Sequence, residues 1–131
     1  MVILIVDDDH EDSDFFTEAV NEIDPEIKCW VAKDGKEALN LLTHDMVMPP
    51  DYIFLDINMP LMNGRETLIE MKKNTRLRDI PVIMYSTTSD TKEIKSFYSL
   101  GAYDFLIKPH NFNKLVDALT SIIVSTKRKI K

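Results

Sequence analysis

Short apolar runs recur along the chain, and within each run the apolar residues follow one another without alternating polar positions. Four runs are prominent, at residues 2–6, 52–55, 82–85 and 103–107, and a weaker one lies at residues 28–32. Continuous apolarity over four or five residues is typical of strands that are buried on both faces, as in a parallel sheet. The pattern therefore predicts five parallel strands.

Segments with a helical period separate these runs. Their apolar residues recur at spacings of three and four, which places them on one face of a helix. The clearest faces comprise Phe15, Phe16, Ala19, Val20 and Ile23, then Ala38, Leu39, Leu41 and Leu42, and finally Phe112, Leu115, Val116, Leu119, Ile122 and Ile123. Alternating strands and helices imply right-handed crossovers, and hence an α/β fold with helices on both faces of a parallel sheet.

Turn and capping residues support the same boundaries. Helix starts are indicated at Asp34-Gly35, at Asn63-Gly64 and at Asp90, which has Glu93 three residues on, as in a capping box. Gly101 stands where a helix C-cap belongs. Residues 43–50 are predicted to form a loop because they end in Pro49-Pro50, and the basic residues 127–131 are predicted to form a solvated helix end.

Length and charge narrow the class of protein. A chain of 131 residues is close to the modal size of one domain, so we expect a single domain over residues 1–131 without an attached output domain. The formal net charge of −6 opposes direct binding to nucleic acid or to an anionic membrane. Cys29 is the single cysteine, and the opening apolar run is too short for a membrane span. We therefore predict a cytoplasmic protein.

Reactive side chains follow the predicted strands. Asp7 and Asp8 follow the first strand and Asp56 the third, while Ser86 follows the fourth and Lys108 the fifth. The carboxyl ends of parallel strands lie at one edge of the sheet, where open α/β folds bind their ligands. We therefore expect these five side chains to meet at one site.

Three carboxylates at one site predict a bound cation. Like charges raise one another's pKa, and a divalent ion neutralises them. Oxygen ligands, without Cys or suitably spaced His, select Mg²⁺ over Zn²⁺. Mg²⁺ keeps open positions that can bridge a phosphoryl oxygen, while Lys108 and Ser86 would hold two further oxygens. This constellation predicts in-line phosphoryl transfer to Asp56, because Asp56 lies between the cation and the lysine.

Four sequence motifs occur in a fixed order. They are residues 5–9 (IVDDD), residues 55–60 (LDINMP) with Gly64 following, residues 83–87 (IMYST) and residues 101–109 (GAYDFLIKP). Together they resemble the receiver domain of two-component response regulators, and the resemblance spans the entire chain. It implies a flavodoxin-like fold with five strands in the order 2-1-3-4-5 and five helices.

The resemblance also implies a role for each acidic residue. Asp56 would accept a phosphoryl group from a histidine kinase or a phosphotransfer protein. Asp8 and Asp56 would contact Mg²⁺ directly, Asp7 through water, and Asn58 through its backbone carbonyl. The protein would be a phosphoacceptor that assists its own phosphorylation and dephosphorylation, in which Lys108 takes part, rather than an enzyme.

Two further positions match the family's switch residues. Ser86 occupies the place of the switch hydroxyl and Phe105 that of the switch aromatic. In the family, phosphorylation reshapes the face of the fourth helix, fifth strand and fifth helix, here for a downstream protein partner, a homodimer or phosphoryl relay. The Lys108-Pro109 peptide bond is typically cis in the family, and His110 is expected to be a solvent-facing loop residue.

A narrower likeness and two alternatives complete the predictions. Residues 49–51, 63–66 and 86–89 are similar to those of small stand-alone receivers that serve phytochrome-type and related sensor kinases. A small Mg²⁺-dependent phosphohydrolase of the haloacid-dehalogenase type would instead use Asp7 as nucleophile and Asp9 as acid or base. No second acidic pair follows Lys108, which disfavours that enzyme. A pseudo-receiver acting only as an interaction module is disfavoured because all the expected side chains are present.

Overall fold

Five strands and five helices alternate in the computed structural model, which describes the backbone of residues 1–130 and the side chains of residues 1–124. The elements are β1 (Val2–Val6), α1 (His10–Ile23), β2 (Lys28–Ala32), α2 (Gly35–Asn40), β3 (Tyr52–Leu55), α3 (Gly64–Lys73), β4 (Val82–Ser86), α4 (Thr91–Ser99), β5 (Asp104–Ile107) and α5 (Phe112–Ile130). The basic side chains of residues 127–131, predicted to be solvated, lie outside the described ones.

The sheet has the order β2-β1-β3-β4-β5, and each neighbouring pair of strands is parallel. This result confirms the predicted flavodoxin-like α/β fold. The strand order reverses beside β1, because the chain moves first to β2 on one side and then to β3 on the other. Ligand sites of such sheets lie at this reversal, beyond the carboxyl ends of the strands.

Two apolar layers cover the sheet, one on each face. Successive residues of a strand point to opposite faces, so Leu4 and Val6 belong to one layer while Ile3 and Ile5 belong to the other. The layer under α1 and α5 centres on Phe16, whose ring lies 4.8 Å from that of Phe54. Burial on both faces explains why the central strands are continuously apolar.

The edge strands are less buried than the central ones. In β2, Trp30 and Val31 are 38% and 45% exposed, because one side of this strand has no neighbouring strand. At the opposite edge, β5 begins at Asp104 rather than at the predicted Tyr103, whose backbone N–H donates to the Val82 carbonyl. Partial exposure of β2 explains why its apolar pattern was the weakest of the five.

The predicted loop at residues 43–50 begins too early. A π-helical segment, Leu41–Asp45, continues directly from α2 and includes the first three of those residues. The Met46 N–H donates to the Leu41 carbonyl at 2.9 Å, which is the five-residue spacing of a π-helix. Leu42, which is on the predicted apolar face of this helix, is buried in the core, and the helical segment continues three residues past it to Asp45.

Capping follows the sequence signals at α2 and α3 but differs at α4. Asn63 and Glu66 form a complete capping box at the start of α3. At α4, Asp90 accepts the backbone N–H of Lys92, while the Glu93 carboxylate accepts the hydroxyl of Thr88 rather than the cap backbone. The fourth helix therefore has a side-chain cap, and its Glu93 is tied to the preceding loop.

Candidate functional site

Backbone pairing holds the ends of the strands level with one another. The Asp56 N–H donates to the Val6 carbonyl at 2.9 Å, and the Lys108 N–H donates to the Ser86 carbonyl at 2.7 Å. Residues that directly follow β1, β3 and β5 thus begin at the same edge of the sheet, as the sequence predicts. Their side chains meet there, since Lys108 Nζ lies 2.8 Å from Asp7 Oδ2 and 3.7 Å from Asp56 Oδ1.

Three carboxylates form an acidic cluster at this edge. Ligand oxygens of Asp7, Asp8 and Asp56 lie within 4.8 Å of one another. Asp7 and Asp56 are buried whereas Asp8 is exposed, so the cluster opens to solvent on one side. Carboxylate oxygens at this spacing fit a hard divalent cation such as Mg²⁺, which prefers oxygen ligands.

Burial disfavours the charged forms of Asp7 and Asp56. Burial raises the pKa of Asp7 above its ordinary value, although the hydrogen bond from Lys108 opposes the shift. Burial, reinforced by the negative charge of Asp7, raises the pKa of Asp56 to about 7. Lys108 and the Ile57 N–H, which donates to Asp56 Oδ1 at 2.9 Å, oppose that shift. A bound cation would relieve this repulsion.

The ammonium of Lys108 lies among three carboxylates. Its Nζ donates to Asp7 Oδ2 and to Asp12 Oδ2, both at 2.8 Å, and lies 3.7 Å from Asp56 Oδ1. It also stands 5.1 Å from the ring centroid of Tyr85. Burial lowers the pKa of Lys108, but the hydrogen bonds to Asp12 and Asp7 outweigh that effect and raise it overall. Lys108 therefore stays charged.

The contact between Asp12 and Lys108 was not predicted from the sequence. Asp12 lies in the first turn of α1, where its backbone N–H donates to the side chain of the N-cap Asp9 at 3.1 Å. A residue three positions after an N-cap can face back toward the strand that precedes the helix. The spacing of Asp12 from the N-cap, together with the acidic run at residues 7–9, could have indicated that Asp12 lies near the site.

The hydroxyl of Ser86 is buried and points toward the loop between β4 and α4. Ser86 Oγ accepts the backbone N–H of Thr88 at 3.3 Å. Thr88 Oγ1 in turn donates to Glu93 Oε2 at 3.2 Å and accepts the Asp90 N–H at 3.3 Å. These bonds tie the loop to the start of α4, and the switch role of Ser86 stays a prediction.

Phe105 belongs to β5 and is half-buried, with its ring beside α4. Its ring centroid is 6.1 Å from that of Phe97, which is fully buried. The guanidinium carbon of Arg65 lies 4.5 Å from the centroid of the Phe97 ring, and the guanidinium donates to Ser96 Oγ at 2.7 Å. Phe105 thus packs beside the contact between α3 and α4. Its role as the switch aromatic stays a prediction.

The remaining predicted positions lie around the rim. Asn58 is exposed two residues after Asp56, and the metal role of its carbonyl stays a prediction. His110 is exposed, which agrees with a loop residue. The Lys108-Pro109 bond is trans, contrary to the expected cis form, and nothing in the structure explains the difference. A cavity of about 340 Å³ adjoins the site and is lined by Glu11, Asp12, Phe15, Tyr85, Thr87, Lys108, Pro109 and His110.

Gly64 allows α3 to start against the backbone of the acidic cluster. Its N–H donates to the Ile57 carbonyl at 2.8 Å, and a Cβ at this position would collide with the Asp56 carbonyl oxygen. Because the neighbouring atoms are backbone, they could not yield without moving Asp56. The glycine therefore belongs to the architecture of the site.

The fold and the site together define a doubly wound α/β domain that gathers three carboxylates and a lysine at its strand ends. Residues 3–120 match the family model described as "Response regulator receiver domain", so the chain belongs to the receiver domain family of two-component signalling. Receiver domains bind Mg²⁺ or Mn²⁺ at an acidic pocket and interact with histidine kinases and downstream partners. Among the described residues, no helix combines the length and apolarity needed to cross a bilayer.

Curated relatives and solved structures agree with this membership. Response regulator Rcp1 of Synechocystis sp. is 30% identical over 132 residues, covering 95% of this chain and 90% of Rcp1. The chain covers only 44% of the probable transcriptional regulator ycf29 of Pyropia yezoensis, at 39% identity over 101 residues, which is 77% of this chain. The Mn²⁺-bound form of Rcp1 superimposes with a TM-score of 0.80 and 30% identity, covering 92% of this chain and 90% of Rcp1.

A further match is the phosphorylated cyanobacterial phytochrome response regulator RcpA, with a TM-score of 0.83 and 30% identity. It covers 92% of this chain and 89% of RcpA. The structural similarity to phytochrome response regulators confirms the narrower likeness seen in the sequence.

Proposed function

We propose that this protein is a phosphorylation switch in which Asp56 accepts a phosphoryl group from a histidine kinase or a phosphotransfer protein. One observation carries the proposal. The Asp56 carboxylate lies within 4.8 Å of ligand oxygens of Asp7 and Asp8 and 3.7 Å from Lys108 Nζ. A nucleophile between a cation site and an ammonium is the arrangement that in-line phosphoryl transfer requires.

In the transfer step, an Asp56 carboxylate oxygen attacks phosphorus and forms a new P–O bond. The P–N bond of the donor phosphohistidine breaks, and the imidazole nitrogen leaves with the electron pair. Asp7, Asp8, Asp56 and the carbonyl of Asn58 would hold Mg²⁺, which supplies positive charge to the phosphoryl oxygens. Hydrolysis later breaks the P–O bond to Asp56 by attack of water, restoring the carboxylate and releasing inorganic phosphate.

The new charge would then rearrange the neighbouring loop. An aspartyl phosphate carries close to two negative charges at neutral pH and offers acceptor oxygens. Ser86 Oγ, now paired with the Thr88 N–H, would turn to one such oxygen, and Phe105 would follow by turning inward. The face of α4, β5 and α5 would change shape for a protein partner, a second copy or onward relay.

The alternative phosphohydrolase gains no support from the structure. That enzyme needs Asp9 as an acid or base beside an Asp7 nucleophile. Asp9 is the N-cap of α1, where its carboxylate accepts the N–H groups of Glu11 and Asp12 at 2.9 and 3.1 Å. A carboxylate held in this cap is not directed at Asp7, so we retain the switch.

The direct test is phosphoryl uptake from a small donor. With acetyl phosphate and Mg²⁺, the intact mass is expected to increase by a single phosphoryl group, and the modification should be lost on standing as the acyl phosphate hydrolyses. Excess chelator should prevent uptake, because the carboxylate cluster then lacks its cation. Absence of uptake with acetyl phosphate, phosphoramidate and a panel of histidine kinases would contradict the proposal.

Removing the ammonium is expected to separate phosphorylation from the switch. In Lys108→Ala, uptake by Asp56 should be slower but measurable, whereas the amide NMR signals of Ser86 and Thr88 should no longer shift on phosphorylation. The reason is that the phosphoryl group then lacks the Lys108 ammonium, which would hold one of its oxygens. Lys114→Ala, at an exposed position in the first turn of α5, controls for loss of one positive charge. Normal switching of Lys108→Ala would show that the role assigned to Lys108 is wrong.

A further inference from the structure

Lys108 has a partner that lies outside the acidic cluster. Asp12 Oδ2 accepts its ammonium at 2.8 Å, as short as the bond to Asp7, while Asp56 stays 3.7 Å away. The two short bonds come from different elements, because Asp7 follows β1 and Asp12 lies in α1. The ammonium is therefore drawn away from the residue that we propose to be phosphorylated.

A phosphoryl oxygen on Asp56 would have to share the ammonium with these two carboxylates. An ammonium has three donors, and two of them are committed to Asp7 and Asp12. Asp7 is fully buried and belongs to the cluster that would hold the cation. Asp12 is 42% exposed, so water can solvate its carboxylate once the lysine departs. Release from Asp12 therefore costs less than release from Asp7.

The position of Asp12 is itself held firmly. The Asp12 N–H donates to Asp9 Oδ1 within the N-cap of α1, so its backbone is fixed relative to the strand end. The contact is thus a structured pair at the wall of the cavity beside the site.

We propose that Asp12 is a positioning residue, which holds the Lys108 ammonium on the α1 side and competes with the phosphoryl group for it. This inference rests on the proposed phosphorylation of Asp56 and adds a determinant of how stable the phosphorylated state is. A partly exposed ion pair at this distance is worth up to about 1 kcal/mol, or roughly fivefold in an equilibrium constant. Asp12 therefore weakens the phosphorylated state by about that factor.

The first experiment measures occupancy of the phosphoryl position without a donor. Beryllofluoride, a phosphoryl mimic, is titrated into the protein at saturating Mg²⁺ and followed by ¹⁹F NMR. Asp12→Ala should bind it about two- to fivefold more tightly than the unaltered protein, and its acetyl-phosphate-labelled form should hydrolyse more slowly. Asp12→Glu, which retains a carboxylate, should return both values toward those of the unaltered protein.

Glu11→Ala is the matched control. Glu11 is the neighbouring exposed residue on the rim of the same cavity, and it is absent from the described contacts of Lys108. It removes the same charge one position away, so it reports any general effect of net charge on anion binding. An equal gain in Glu11→Ala and Asp12→Ala would overturn the proposal, as would unchanged or weaker binding in Asp12→Ala.

A second measurement tests the contact in protein without metal or phosphoryl group. The ¹H–¹⁵N signal of the Lys108 ammonium should be observable in the unaltered protein, broaden in Asp12→Ala as exchange with water increases, and return in Asp12→Glu. An unchanged signal in Asp12→Ala would overturn the inference while leaving phosphoryl uptake intact. Failure of the unaltered protein to take up any phosphoryl group would instead overturn the proposed function, and this inference with it.

Discussion

Asp56→Asn should abolish phosphoryl uptake, lowering the initial rate by about 100-fold or more with acetyl phosphate and Mg²⁺. The amide has nearly the same size and can still accept the Ile57 N–H, so the fold should remain intact. It lacks the negative charge that attacks phosphorus and ligates a cation. Intact-mass measurement over time gives the rate, and far-UV circular dichroism confirms that the variant is folded.

Asp7→Asn separates this switch from the phosphohydrolase alternative. In the switch, Asp7 serves the cation site, so Asp7→Asn should take up phosphate more slowly, with the label still on Asp56 by peptide mapping. In the hydrolase, Asp7 would carry the covalent intermediate. Unchanged labelling of Asp56→Asn, combined with loss of labelling in Asp7→Asn, would refute the role that we assign to Asp56.

The same substitution should stabilise the protein when no metal is bound. At pH 8 in excess chelator, we expect Asp56→Asn to raise the free energy of unfolding by about 3 kcal/mol, or roughly 10 °C in Tm. Burial and the charge of Asp7 raise the pKa of Asp56 to about 7, from 3.8. Each pKa unit corresponds to about 1.4 kcal/mol. The expected gain is smaller than the whole pKa shift would give, because part of the shift is an interaction shared with Asp7.

The pH dependence has a definite sign. The folded protein binds a proton on Asp56 more tightly than the unfolded chain does, so stability falls as pH rises from about 4 to about 7. The advantage of Asp56→Asn should therefore be small near pH 4 and complete above pH 7. Asp79→Asn, at an exposed loop position, is the control for net charge. A gain that is equal at pH 4 and pH 8 would contradict this explanation.

Bound Mg²⁺ should reverse the difference in stability between the unaltered protein and Asp56→Asn. Ligands that bind only the folded state stabilise it in proportion to the logarithm of their concentration above the dissociation constant. Millimolar Mg²⁺ should therefore raise the Tm of the unaltered protein more than that of Asp56→Asn, because the variant has lost one anionic ligand of the cluster. The chelator and magnesium series together separate charge repulsion from any packing effect of the amide.

Local pattern predicted the scaffold well wherever burial is two-sided. The unbroken apolar runs of β1, β3 and β4 are buried throughout or nearly so, and their alternation with helices predicted the parallel sheet. The order of the strands was implied only by the resemblance to receiver domains. The pattern was weaker at the edges, where β2 is largely exposed and β5 starts one residue later than predicted. It placed Leu41 and Leu42 on a helical face but missed the π-helical continuation to Asp45, because residues 43–45 are polar and carry no apolar period.

The polar contacts divide in the same way. The sequence placed Asp7, Asp56 and Lys108 at strand ends, and parallel pairing then brings them to one edge. It could not assign partners among them, because a lysine side chain is flexible and can reach several carboxylates. The expectation that Glu93 closes a capping box was wrong for a similar reason, since its carboxylate accepts the loop hydroxyl of Thr88 instead.

The sequence by itself determined the periodicity of the elements, the parallel sheet and the identity of the side chains at its carboxyl edge. These depend on spacing along the chain and on the geometry that all parallel sheets share. The tertiary structure alone decided that Lys108 pairs with Asp12 as well as Asp7, and that the Ser86 hydroxyl faces Thr88. Such choices depend on differences of less than an ångström in the positions of side chains that are up to about a hundred residues apart in the chain, which no local pattern encodes.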